Sequence, residues 1–399
     1  YDQNGKRQYE KLKVLRISGA ASSDKKELKN FLKKLEAAKN KDYCTLGVEM
    51  GLFAAELASF KETAKCWLPK GQFIKERLLN FLRIENEKSG FKAVSTPRIV
   101  KKIFANNFDL PVEIEGEEYA LAEEKLKLHA LLYRAEKDLL PVRYFEMAED
   151  AEYATCFCRE DQADGELISC LQLIDKIANM LGFEYRYVLN RGKVKGSSKK
   201  ISERLEKALN SLKLEFAVDK EAANEYINTI PVAGVSGSSI ELEVCDVFKR
   251  KWCISSLQII EKNEQTANCQ APVTISRVFK SLEQFIALLI ERHNGLLPLW
   301  LAETEVIVLP IAERNISYAK EIESQLKEAN IRVLLDESLL KLGEKIQKAE
   351  RKKIPYMLIA GDNEKKNGTV AVRAFSQEKD AAPVQLSLFL KQLAQERSI

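Results

Sequence analysis

Hydrophobic residues recur along this chain in two rhythms, and the alternation between them lays out the elements. Between Phe73 and Glu87, Ile74, Leu78, Leu79 and Leu82 fall on one side of a helix. Earlier, Ser23-Asp24-Lys25-Lys26-Glu27 has the composition of a helix start, with Ser23 as candidate cap. Leu28, Phe31, Leu32 and Leu35 give that helix its apolar face. In ISRVFKSLEQFIALLIE, residues 275–291, the spacing of Val278, Leu282, Phe285, Ile286, Leu289 and Ile290 predicts a buried helix. Arg277, Glu283 and Gln284 interrupt its apolar character. Shorter segments alternate instead. Lys11 to Ile17 reads as a strand, as does GFKAVSTPRIV (90–100), whose Pro97 suits a strand end or edge.

The middle of the chain mixes helical patterns at 121–137 and 166–181 with apolar strands at 183–189 and 239–247. That mixture predicts an α+β domain, an antiparallel sheet with helices on it. The last hundred residues change rhythm. TEVIVLPI (304–311), ISYAKEIESQLKEA (316–329), IRVLL (331–335), a Lys-rich helix reaching about Lys353, then PYMLIAG and TVAVR alternate strand and helix. This is the pattern of a small parallel or mixed sheet covered by helices, with a boundary near Pro298. The expected domains are 1–60, 61–297 and 298–399.

Length and composition change this picture little. The 399 residues exceed one typical core. With 45% hydrophobic and 31% charged residues the mixture is globular, and a net charge of +4 permits nucleic-acid contact without arguing for it. No apolar run reaches the length of a membrane span. The chain opens at Tyr1 rather than Met, which reads as a trimmed or processed product. The eight cysteines are scattered, so reduced core residues and an intracellular, cytoplasmic setting are expected, an organellar matrix being the alternative. Only His129 and His293 are present, and no Cys/His cluster has zinc spacing. RGKVKGSSKK (191–200) reads either as a solvated basic loop or as a phosphate-contacting patch.

PLWLAETEVIVLPI and LGEKIQKAERKKIPYMLIAGDNEKKNGTVAVR strongly resemble the anticodon-binding domain of threonyl-tRNA synthetases, a family of class II aminoacyl-tRNA synthetases. SDKKELKNFLKKLEAAKNKDYCTLGVEMGLF resembles the family's connecting helix, and GFKAVSTPRIV its motif 1, which implies a homodimer with Pro97 at the interface. LPVRYFE resembles the approach to motif 2, and PVTISRVFKSLEQFIALLIE motif 3. The resemblance implies a class II synthetase-like antiparallel sheet domain followed by an α/β anticodon-binding-type domain. The family's editing domain is not in this chain.

The same resemblance implies that the chemistry has gone. Adenylation needs two arginines on the triphosphate and, in this family, a zinc ion held by one Cys and two His. Gln284 stands at the motif 3 arginine and Lys280 at the glycine before it. Ser276, Leu126 and Thr155 stand at the three zinc ligands, although His129 persists nearby. VRYFEMAE passes directly to DAEYATCFC, without the arginine-bearing strand and loop of motif 2. Gln258 is kept, and Ile260 replaces an acidic residue. Neither zinc nor ATP is therefore expected as a cofactor, and no catalytic residue is assigned.

For RNA, the resemblance carries over to Lys341, Lys345, Lys348, Glu364 and Arg373, with Lys352 and Lys353 adding positive charge. Ser338, Leu339 and Phe375 depart from the family pattern. Three readings follow. The chain is a degenerate synthetase relative that binds tRNA or another structured RNA. It is a regulatory or structural homodimeric subunit serving a protein partner. Or it is a divergent, active threonine–tRNA ligase in which Arg143, Arg159 or Arg277 serves the phosphate.

Overall fold

The computed structural model describes residues 23–54, 66–95, 99–101, 112–114, 117–121, 142–147, 151–191, 197–219, 238–260, 273–279, 281–375 and 382–397. The strand expected at Lys11–Ile17, and also Pro97, Leu126 and His129, lie outside them. Two compact units are present, residues 1–40 and 41–399. Helix α1 (Lys25–Lys41), all but its last residue in the first unit, is begun by Asp24, whose Oδ1 accepts the Lys26 N–H at 2.8 Å. The cap is thus one residue beyond Ser23, because the carboxylate reaches a first-turn amide.

The second unit holds the sheets. The largest joins β1 (Lys92–Ala93), β5 (Val142–Met147), β6 (Glu152–Cys158), β7 (Tyr185–Asn190), β8 (Phe216–Asp219), β9 (Ser239–Cys245), β10 (Lys251–Ile260) and β11 (Val273–Phe279). Their order is β1-β5-β6-β11-β10-β9-β7-β8. Only β1 with β5 and β7 with β8 pair in parallel. A three-stranded sheet joins β2 (Ile99–Lys101), β4 (Glu117–Leu121) and β3 (Val112–Ile114). Leu121, expected to open a helix, therefore ends a strand, and 122–141 lie outside the described residues.

Helices α2 (Tyr43–Glu49), α3 (Pro69–Lys88), α4 (Ala163–Met180), α5 (Ser197–Ser211) and α6 (Leu282–Arg292) accompany the large sheet. Pro69 starts α3 in its first turn, where a missing N–H costs nothing, four residues before the hydrophobic pattern begins. Ser197–Lys200, expected in a basic loop, instead open α5. Residues 192–196 lie outside the described residues.

The helix expected over 275–291 is divided. Its first five residues belong to β11, and the helix runs only over α6. Val273, Ile275 and Phe279 alternate into the core, where Phe279 and Phe183 meet Phe285 edge-on at 5.9 and 5.2 Å. Pairing with β6 on one side and β10 on the other satisfies the β11 backbone. Ser281, at φ 37, turns the chain through the left-handed region into α6, and its hydroxyl caps the Gln284 N–H at 3.3 Å.

The C-terminal sheet has the order β13-β12-β14-β15-β16, built from β12 (Val306–Pro310), β13 (Val333–Leu335), β14 (Tyr356–Ala360), β15 (Thr369–Ala374) and β16 (Ala382–Gln385). The first three strands are parallel and the last two antiparallel additions. Helices α7 (Ile316–Glu328), α8 (Leu342–Arg351), α9 (Asp362–Asn367) and α10 (Leu386–Arg397) complete it. A core separate from that of the large sheet gathers Val306, Val308, Ile322, Leu326, Phe389 and Leu393. Backbone carbonyls tie the two sheets' domains together. Trp300 O accepts from the Arg77 guanidinium at 3.1 and 3.2 Å, and Lys352 O accepts from Lys70 Nζ at 3.1 Å. Among the described residues no helix is long and apolar enough to cross a membrane.

Leu326 is fully buried in the C-terminal core, whereas Leu388 is 57% exposed. Leu326→Ala is expected to cost about 3 kcal/mol in denaturant unfolding. Leu388→Ala should stay within about 0.5 kcal/mol.

Candidate functional site

Strand register brings three of the sequence's site positions into one row. Thr155 on β6 pairs with Ser276 on β11, which pairs with Gln258 on β10. These side chains share a face opposite the core, because their strand neighbours Ala154, Ile275 and Leu257 all point into it. All three are buried, and Thr155 Oγ1, Ser276 Oγ and Gln258 Nε2 find no hydrogen-bond partner among the described residues. The row continues through Ser239 on β9. The same face bears Glu241 and Glu243, both buried. Arg186 on β7 lies opposite Glu243 and donates to it at 2.6 Å. Among the described residues of these central strands, Arg186 is thus the arginine on this face, and it is engaged by a carboxylate. The face offers hydroxyls, an amide and carboxylates.

The three arginines considered as substitutes are all held elsewhere. Arg277, fully buried, lies two residues from both Ile275 and Phe279, shares their face and so projects from the core side of β11. Its Nη2 donates to Glu152 Oε1 at 2.8 Å and to Asn86 Oδ1, and its guanidinium lies 5.1 Å from the Phe279 ring centre. Burial raises the Glu152 carboxyl above the usual range, although the Arg277 charge works against that rise. Arg143 forms a fork onto Glu166 at 2.7 and 2.9 Å, also from the core side, since it lies opposite Cys156. Arg159 is exposed and forked onto Asp161 at 3.0 and 3.1 Å. Gln284, half-buried in the first turn of α6, is a neutral amide. Lys280 lies outside the described residues.

In the C-terminal sheet the five RNA candidates separate. Lys341 and Lys348 are exposed at the start of α8 and along it, with Lys348 Nζ 3.9 Å from Asp336 Oδ2. Lys345 departs from the expectation of a solvent-facing contact. It is 3% exposed, and its ammonium donates to the carbonyls of Pro310 at 3.0 Å and Asp336 at 3.2 Å. These bonds pin the ends of β12 and β13 together, and burial pulls the ammonium below the usual lysine value. Arg373 is paired with Glu350 at 3.0 Å, which ties β15 to α8. Glu364 accepts the Gly361 N–H at 3.0 Å and closes the start of α9. Lys353 Nζ lies 5.0 Å over the Phe375 ring.

Comparison with known proteins fits this geometry. An anticodon binding domain model matches residues 305–396. The threonine–tRNA ligase of Phocaeicola vulgatus is 31% identical over 98% of this chain and 67% of its own length. The chain belongs to the threonyl-tRNA synthetase family. The ligase of Cytophaga hutchinsonii is likewise 31% identical, over 92% of this chain. This chain spans only 64% of that relative's length. Among solved structures, one described as the RNA binding domain of Cryptosporidium parvum threonyl-tRNA synthetase superposes with a TM-score of 0.75 at 21% identity. It covers 89% of this chain and 98% of that one. Giardia lamblia prolyl-tRNA synthetase superposes at 0.67 with 14% identity, covering 93% and 80%. Both likenesses concern the fold.

Thr155 and Ser276, two of the three positions that the family resemblance matches to zinc ligands, are cross-strand neighbours. Proteins hold zinc with thiolate, imidazole or carboxylate groups. A neutral threonine and a neutral serine hydroxyl do not fit that ion. Sequence reasoning also missed Asn86 and Glu152, which hold Arg277. They lie 191 and 125 positions away from it, and no local pattern marks them.

Removing one partner of a buried pair leaves the other charge unmatched, at a cost of about 3–5 kcal/mol. Arg277→Met should therefore destabilise the chain by that amount in denaturant unfolding. The double variant Arg277→Met, Glu152→Leu is expected to recover most of the loss.

Proposed function

We propose that this chain is a threonyl-tRNA synthetase relative that does not form threonyl adenylate and works instead by binding RNA, either tRNA or another structured RNA. One observation carries the reading. Arg277, Arg143 and Arg159 are each committed to a carboxylate, and Arg186, on the face of the Thr155–Ser276–Gln258 row, is committed to Glu243. Clamping a triphosphate requires donors preorganised toward the charge that develops on it. Each such donor is worth about 10²–10³ in rate. Gln284 supplies no positive charge in place of the motif 3 arginine, and the hydroxyls of Thr155 and Ser276 offer zinc no ligand.

RNA binding is supported by the anticodon binding domain match and by the exposed Lys348 on α8 with Lys341 and Lys352 at its two ends. Lysines so placed contact phosphates and do not read bases. The family frame also supports a homodimer in an intracellular setting.

A second reading, an accessory subunit for a protein partner, is favoured by Leu339, 83% exposed, with Leu340 and Ile311 at 44% and 47%.

Threonine-dependent exchange of pyrophosphate into ATP tests the first claim. The expected rate equals the protein-free background, and exchange above it overturns the proposal. Threonine tRNA binding should weaken linearly in log affinity against log salt. Lys341→Ala with Lys348→Ala is expected to reduce that slope by about 2. Binding that ignores both salt and these lysines would favour the accessory reading.

A further inference from the structure

Beside α6 lies a cavity of about 190 Å³, walled by α2, the Phe53–Trp67 bridge, the turn between β9 and β10, and α6 itself. That is room for several waters or one small organic molecule. One wall is a run of rings. Tyr43 meets Phe53 edge-on at 6.3 Å, and Phe53 meets Trp67 at 5.6 Å. Trp252 adds a further ring.

The charges around the cavity do not balance. Asp246 and Arg250 form an ion pair at 2.5 Å, and the Arg250 guanidinium lies over the Trp252 ring, so these two cancel. Glu283 is exposed and accepts the Trp67 indole N–H at 2.8 Å. Glu291 is 6% exposed. Its two oxygens take the N–H groups of Tyr43 at 3.2 Å and Val247 at 3.1 Å. Those amides satisfy its hydrogen bonding, no counter-ion pairs with it among the described residues, and burial raises its carboxyl above the usual range. Gln284, also on the wall, is neutral. A buried carboxylate facing a cavity lined with aromatic rings is the complement of an organic cation. The carboxylate supplies the opposite charge, and the rings supply cation–π attraction and an apolar wall for a hydrocarbon chain.

We propose that this cavity binds a primary ammonium carried on a short aliphatic chain, with the ammonium at Glu291 and the chain against Tyr43, Phe53 and Trp67. The shared chemistry is that of a free aliphatic diamine and of a lysine side chain. The site is independent of the RNA-binding reading, since none of its walls belongs to the C-terminal sheet.

The test titrates the full chain with putrescine, with N-acetyl-lysine methylamide and with butanediol as neutral isostere, following the fluorescence of the wall tryptophans. A saturable change is expected with at least one amine and none with butanediol; the tighter amine identifies the source. Glu291→Gln should weaken binding at least tenfold. Gln284→Arg, which places a guanidinium in the same cavity, should do likewise, and it decides the matter if Glu291→Gln does not fold. Equal responses to amine and diol would reduce the cavity to an apolar space and overturn the proposal. Absence of any saturable response, or unchanged amine affinity in the folded variants, would overturn it as well.

Discussion

The structure turns on the allegiance of one guanidinium. Arg277 sits on β11 in the centre of the large sheet and projects into the core. There it joins β11 to β6 through Glu152 and to α3 through Asn86. A buried charge must have its partner, and an arginine so held has no freedom to reach a phosphate on the opposite face. The alternation of side chains along β11 makes the two roles exclusive. What faces the other side is decided one residue away, at Ser276, and there the chain carries a neutral hydroxyl.

The same contrast between two faces runs through the large domain. The core residues of α4, α6 and the inward sides of β6, β9, β10 and β11 form one continuous apolar cluster. The outward side of those strands has buried hydroxyls and an amide without partners, beside carboxylates. Selection for folding alone accounts for the first. Nothing in folding requires the second, since unpartnered buried polar atoms cost stability. The asymmetry is between an inward side that supports the fold and an outward side whose polar groups do not.

Much of the fold was legible in the sequence because its rhythms are local. The strand–helix alternation from Val306 to Ala374 follows from apolar periods that can be read residue by residue, and α3 and α4 follow from their stripes. The β11–α6 junction was not legible in this way. Val278 sits four residues before Leu282 and so satisfies a helical period, while Val273, Ile275 and Phe279 satisfy a strand period. Only pairing with β6 and β10, from distant parts of the chain, decides between them. Lys345 was misjudged for a related reason. On a lysine-rich helix it reads as surface, and the carbonyls of Pro310 and Asp336 that receive its ammonium cannot be inferred from its neighbours. The partners of Arg277 were invisible for the same cause. The row of Thr155, Ser276 and Gln258 was named position by position from family resemblance, and strand register then placed the three side by side.

The proposal that this chain does not form threonyl adenylate rests on the engagement of Arg277, Arg143, Arg159 and Arg186 by carboxylates. Isothermal titration of the full chain with a non-hydrolysable threonyl-adenylate analogue tests it most directly. No saturable heat is expected at millimolar analogue, because among the described residues of the central strands Arg186 is the arginine on the face of the Thr155–Ser276–Gln258 row, and Glu243 engages it. A micromolar dissociation constant, weakened by a substitution at Gln258, would contradict it and return the chain to the active ligases.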